Sequence, residues 1–165
     1  MRQFSRWLVL GVALSLLSAA AAAAQEKKVP LDKVPKPVID AVKAKFEGAE
    51  LKGASTEKDG DKLVYEISLV HKGRKIDASL TADGKFTSIE KEIKSDEVPG
   101  PVADALKAKY PGAKVKIAEE VTEEGKVKYE FLLDTGKGEV EAVFDPSGKL
   151  LKEEKKEKKE KKDKD

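Results

Sequence analysis

Few residues in this sequence are of the types that enzymes use for nucleophilic catalysis. The chain contains no cysteine and a single histidine, His71, so neither a thiol dyad nor a histidine-rich metal site can be built from it. His71 precedes the turn signal Lys72-Gly73, which favours an exposed turn residue. Carboxylates are abundant but stand among lysines, as on solvated surfaces. The sequence therefore predicts no catalytic residue, no metal ligand, no cofactor and no enzymatic activity.

One short segment superficially resembles a calcium-binding loop. Lys58-Asp59-Gly60-Asp61 supplies carboxylates around a glycine, but it lacks the ligand spacing and the distal glutamate of an EF-hand. We interpret this segment as a hairpin turn between two strands.

The N-terminal residues have the organisation of a bacterial signal peptide. Arg2 and Arg6 form a positive region, residues 8–17 form a short apolar region, and a run of alanines ends at Ala24. This pattern predicts a signal peptide over residues 1–24, cleaved between Ala24 and Gln25, and a periplasmic or secreted protein without membrane insertion after cleavage. The alternative is an N-terminal anchor that stays uncleaved.

The charge of the expected mature chain is balanced. Outside the two arginines of the signal it contains 31 basic and 31 acidic residues, so it has no basic excess for binding nucleic acid. Residues 155–165 are rich in lysine and glutamate and contain no apolar side chain, which predicts a disordered tail. An electrostatic tether to envelope polymers is the alternative for this tail.

The region between the signal and the tail contains an internal repeat. With a shift of 64 positions the second copy matches the first at the helix, the strands and the last turn, for example at Tyr65-Glu66 and Tyr129-Glu130. We therefore predict an N-terminal linker at 25–33, a first repeat at 34–93, a linker at 94–97 and a second repeat at 98–154.

Each copy has the pattern of a helix followed by four strands. Prolines precede an apolar stripe of helical spacing that ends at Gly48 in the first copy and at Pro111-Gly112 in the second. Segments of period-two alternation separated by glycine turns follow. The expected fold class is α+β, a tandem duplication in which each unit is one helix packed on a four-stranded antiparallel meander. The sequence leaves open whether the two units join edge to edge or core to core, and it leaves the oligomeric state open.

The repeated motif resembles that of the PepSY-like proteins. Its parts are the helix at residues 35–49 and 99–113, Tyr-Glu within a strand, and the turns Asp83-Gly84-Lys85 and Ser147-Gly148-Lys149. The resemblance implies an exported bacterial protein with a fold similar to the beta-lactamase inhibitory protein. That inhibitor binds through an aromatic-rich concave sheet, whereas the expected mature chain here has seven aromatic residues and no tryptophan, which argues against direct inhibition of a beta-lactamase.

The function expected from this resemblance is non-catalytic binding or inhibition of another envelope protein. The alternatives are a stress-related, chaperone-like structural protein of the envelope and a weak sensor of cations or small ligands. We expect a partner to dock on the sheet faces that the helices leave open. The candidate contact residues are Val64, Glu66, Val70, Glu130, Leu132 and Val143.

Overall fold

The computed structural model describes residues 27–59 and 62–156. The predicted signal peptide, its cleavage site at Ala24 and Gln25, and most of the predicted tail lie outside these residues. Two α-helices occur in the described chain, α1 (Lys36–Lys45) and α2 (Gly100–Lys109). The strands are β1 (Lys27–Val29), β2 (Glu50–Asp59), β3 (Lys62–His71), β4 (Arg74–Thr81), β5 (Phe86–Glu92), β6 (Lys114–Glu123), β7 (Lys126–Asp134), β8 (Glu139–Phe144) and β9 (Leu150–Lys156).

Both helices directly follow a proline, and a glycine stands three residues after the end of each. Pro35 and Pro99 are the N-caps, and the carbonyl oxygen of Pro35 accepts a bond from the amide of Val38 at 3.0 Å. A second proline follows in the first turn, where a missing N–H costs no intrahelical bond. Gly48 and Gly112 then adopt left-handed φ angles of 77° and turn the chain into the next strand.

The strands of the described chain form one antiparallel sheet in sequence order, β1 to β9. The prediction of a tandem duplication of units, each one helix packed on a four-stranded antiparallel meander, is therefore wrong. The reason is that β5 pairs with β6, from Ser88 opposite Glu123 to Glu92 opposite Glu119, and so fuses the two sets of strands. The sequence pattern also did not predict β1, a strand that lies in the segment predicted as a linker at 25–33. This strand pairs with β2.

Each helix covers its own part of one sheet face. The core beneath α1 contains Ile67 and Leu69 of β3, and the core beneath α2 contains Phe131 and Leu133 of β7. All four side chains are at most 2% exposed. The seven aromatic residues from Phe46 onward belong to these two cores, with Tyr129 buried and Tyr65 half-buried.

Two glycine turns hold the helices against the sheet. Gly84 and Gly148 have left-handed φ angles of 86°, and each lies directly under the first turn of a helix. A Cβ atom added to Gly84 would stand 2.6 Å from the carbonyl oxygen of Pro37, and one added to Gly148 would meet Pro101 in the same way. The glycine of each D/S-G-K turn is thus required both by its backbone angle and by the closeness of the helix.

Within the part of the chain that the structure describes, no helix is long and apolar enough to cross a membrane.

Candidate functional site

The face of the sheet opposite the helices carries polar and charged side chains. Strand alternation puts Ile67 and Leu69 into the core, so Glu66, Ser68 and Val70 point to the other side. The cross-strand registers extend this face through Asp77, Glu90, Glu119, Glu130 and Glu141. We call it the open face, because neither described helix packs on it.

The open face is concave. A single groove is lined by residues of five successive strands, from Lys52 on β2 to Ile117 on β6. In a flat sheet these outer strands would be about 19 Å apart, at about 4.8 Å per strand. Val121 supports the same conclusion, since it is on the open face and only 1% exposed. The twist of the long sheet therefore brings its open-face side chains together.

A groove of about 430 Å³ runs along this concave surface. Strands β3 and β4 line one side with Glu66, Ser68, Val70 and Asp77, whereas β6 lines the other with Ile117 and Glu119. Lys52, Lys75 and Lys116 also border the groove, together with Glu90 and Glu92. The groove therefore combines apolar side chains with an excess of carboxylates.

Two carboxyl groups of this surface have strongly raised pKa values. Burial raises the pKa of Glu90 to about 9, and the neighbouring carboxylates, with Glu119 the strongest among them, add to the effect. Burial also raises the pKa of Glu119 to about 7, helped by Asp77 and Glu92 and opposed by Lys75. These shifts arise because charged carboxylates lose hydration inside the concave sheet and face one another.

A second acidic pair lies on β7 and β8. Glu130 and Glu141 are 6% and 3% exposed. Burial, followed by the charge of Glu141 and that of Glu119, raises the pKa of Glu130, and a hydrogen bond between the Glu130 and Glu141 side chains contributes in the same direction. The amino group of Lys152 lies 3.5 Å from Oε1 of Glu141 and offsets part of this charge.

The predicted contact residues all belong to the open face, but only three of the six can be reached by a partner. Val64, Glu130 and Val143 are 3%, 6% and 8% exposed. The curvature of the sheet buries them, so they pack beneath the surface and a partner cannot contact them. Glu66 and Val70 are half-buried and line the groove. Leu132 is also half-buried and pairs directly with Ile117 of the groove wall.

Sequence reasoning named Glu66 and Glu130 of the open face but missed its other acidic residues and the burial of this cluster. We expected the carboxylates to be dispersed on solvated faces, and for Glu90, Glu119, Glu130 and Glu141 this expectation is wrong. Their proximity depends on the β5–β6 pairing and on the curvature, neither of which is encoded in local periodicity. The one available signal was the alternation of Ser88, Glu90 and Glu92 with Thr87, Ile89 and Lys91 on β5.

The sequence also contains two other chemical candidates, His71 for catalysis and the segment 58–61 for calcium binding. The ring of His71 packs edge-on against Phe46, with ring centroids 5.7 Å apart, and the side chain is half-buried rather than exposed. Asp59 pairs with Lys62 at the end of the β2–β3 ladder, and the residues between them lie outside the described ranges. Among the described residues, no group of three or more His, Asp or Glu has a geometry that could hold a metal ion.

Solved structures with this fold come from several Bacteroides species. A "putative periplasmic" protein of Bacteroides eggerthii has a TM-score of 0.64 and 20% identity, and the match covers 74% of this chain and 88% of the other. A BLIP-like protein of Bacteroides fragilis has a TM-score of 0.59 and 22% identity, with coverages of 73% and 86%. A DUF2874 family protein of Bacteroides uniformis has a TM-score of 0.63 and 18% identity, covering 73% and 88%. At these identities the likeness shows a shared fold.

Two family models match the sequence, whereas a search of curated proteins gives no significant match. The model described as "Peptidase propeptide and YPEB domain" matches residues 35–90. The model described as "Putative beta-lactamase-inhibitor-like, PepSY-like" matches residues 64–152, more than half of the chain and nearly the whole groove. By its sequence and its fold, this chain belongs to the PepSY-like family.

Proposed function

We propose that this protein is an exported, non-catalytic module of the bacterial envelope that binds another envelope protein across the open face. The observation that carries the proposal is the groove between β3 and β6. It is concave, lies on the face that the helices leave free, and offers apolar and charged side chains together, as protein-binding surfaces do.

The composition of the groove suggests what the partner presents. Its border has five carboxylates, those of Glu66, Asp77, Glu90, Glu92 and Glu119, and only three lysines. Because the pKa of Glu90 is raised to about 9, that carboxyl is neutral near pH 7 and the charges of the groove nearly balance, so a partner segment with both charged and apolar side chains would complement it. The seven aromatic residues from Phe46 onward are all committed to the helix-side cores. The groove therefore lacks the aromatic anchors typical of tight interfaces, and we do not propose inhibition of a beta-lactamase.

We also propose that the protein has no enzymatic activity. The histidine is packed against Phe46 on the helix side, away from the carboxylates of the groove, so no imidazole can serve them as a base. A panel of hydrolase substrates checks this proposal. Turnover that disappears in the Glu119→Gln variant would contradict it.

Export and duplication complete the proposal. The pattern of residues 1–24 supports cleavage before Gln25, and N-terminal sequencing of periplasmic protein would detect Met1 if the segment were retained. The equivalent glycine contacts at Gly84 and Gly148 and the equal lengths of α1 and α2 support an origin by duplication of one unit.

The binding proposal is tested by photo-crosslinking in the periplasm of the source bacterium. A crosslinking amino acid is placed at Val70 or Leu132 on the open face, and at Ala44 or Ala108 as matched controls on the exposed sides of the helices. We expect a discrete adduct with one protein from the open-face positions and none from the controls. Adducts of equal yield from all four positions, or adducts from the helix positions alone, would contradict the proposal.

A further inference from the structure

Strands β5 and β6 form the seam of the sheet. Among the described residues, their ladder is the pairing that joins β1–β5 to β6–β9. It contains five residue pairs, as the β4–β5 ladder does, compared with nine in the β6–β7 ladder. The cores beneath α1 and α2 are separate clusters. The seam is therefore held by its own ladder, by the ion pair of Lys91 on β5 with Glu120 on β6 at 2.7 Å on its helix side, and by Ile93, which follows β5 and packs in the core beneath α2.

Carboxyl groups face one another across and beside this seam. Glu92 of β5 stands directly opposite Glu119 of β6, which in turn stands opposite Glu130 of β7. On the other side, Glu90 of β5 stands opposite Asp77 of β4. Like charges placed directly opposite in a sheet are destabilising when both are ionised.

The surrounding groups only partly compensate these charges. Lys75 of β4 lies 3.4 Å from Glu92, and Lys152 of β9 lies near the buried pair on β7 and β8. Lys116 and Lys128 are paired with Glu139 and Glu123. The other charged groups of the open face that approach Glu90 or Glu119 are Glu57 of β2, Glu66 of β3 and Glu141 of β8.

We propose that the β5–β6 seam is a proton-operated clasp: it is tight while Glu119 of β6 and Glu90 of β5 carry protons, and it loosens when they ionise next to the neighbouring carboxylates. Protonated carboxyls can share hydrogen bonds across the strands, whereas ionised ones repel each other within a surface that has lost much of its hydration. The clasp belongs to the fold itself and acts with or without a bound partner.

The pKa values give the direction and the pH range. Those of Glu90 and Glu119 are raised from an ordinary 4.5 to about 9 and about 7. The folded state therefore holds protons that the unfolded state has released, and this contribution to stability is full below about pH 4.5. It is lost as pH rises through about 7 and then about 9.

Amide hydrogen exchange of the whole protein, read by mass spectrometry and corrected for the intrinsic rate at each pH, tests the clasp. Between pH 6 and pH 9 we expect protection of segments 86–92 and 119–123 to fall at least about tenfold more than that of β2 and β3, since each unit of pKa displacement is worth a factor of ten. Glu119→Gln and Glu90→Gln, which resemble the protonated forms, should each reduce this fall. The control Glu47→Gln, at an exposed position after α1, should leave it unchanged.

Two outcomes would overturn the proposal. One is a loss of protection spread evenly over all strands. The other is a fall at the seam that is the same in wild type and in both glutamine variants. If a variant fails to fold, the pH dependence of the wild-type seam relative to β2 and β3 still decides the question.

Discussion

The contact between the glycine turns and the helices makes a quantitative prediction. Gly84→Ala should destabilise the protein for two reasons that can be separated. A left-handed φ of 86° costs a non-glycine residue about 1–2 kcal/mol. The new Cβ, placed 2.6 Å from the Pro37 carbonyl oxygen, also forces the helix away from the turn, at a further cost of about 1–3 kcal/mol. The free energy of unfolding should therefore fall by about 2–5 kcal/mol in total.

Gly48→Ala is the matched control for this experiment. Gly48 has a similar φ of 77°, but no atom lies within 4 Å of the position of its Cβ. It should lose only the conformational part, about 1–2 kcal/mol. Urea unfolding of both variants at one pH gives the difference, provided that the slope with denaturant is unchanged. Equal losses in the two variants would refute the idea that the helix rests on the turn, and Gly148 with Gly112 repeats the comparison in the second half.

Two further predictions concern the core and an ion pair. Tyr129→Ala should lower the free energy of unfolding by about 3–5 kcal/mol, since the side chain is 8% exposed. Tyr65→Ala should lower it by less, because Tyr65 is only half-buried. Denaturant melts that rank the two variants in the opposite order would contradict this. Glu97 accepts a two-pronged bond from Arg74, with Nη2 2.7 Å from Oε1, and its pKa is lowered to about 2. In Arg74→Met this pKa should rise toward 4.5, which NMR titration would show. In wild type the ion pair stabilises the fold and this contribution is lost as pH falls toward 2, so the variant should lack this pH-dependent loss of stability.

Local features of this fold could be predicted because local residues determine them. Prolines at the start and a glycine past the end bound each helix, and alternation on β3 and β7 assigns Tyr65 and Tyr129 to the core. These signals act within a few residues of one another. They require no knowledge of how distant strands meet.

The features that create the candidate site are non-local, and the sequence pattern did not show them. The pairing of Glu92 with Glu119 depends on the partner that β5 chooses, and period-two alternation is silent about that choice. Val64 and Val143 were expected to be exposed because alternation separates the two faces of a strand. They are buried because the sheet curves, which is a property of all nine strands together. The three residues of β1 are too few for any periodic signal.

The affinity of the crosslinked partner, once purified, for variants of this protein tests the central claim most directly. Val70→Asp and Leu132→Asp add a charge at the groove and beside it, and both positions are half-buried on the open face. Ala44→Asp adds the same charge on the exposed side of α1. We expect the two open-face variants to lose affinity by at least about tenfold, or about 1.4 kcal/mol, while their melting curves and the affinity of Ala44→Asp stay close to wild type. Full affinity in both open-face variants, or a loss in Ala44→Asp alone, would show that the partner binds elsewhere.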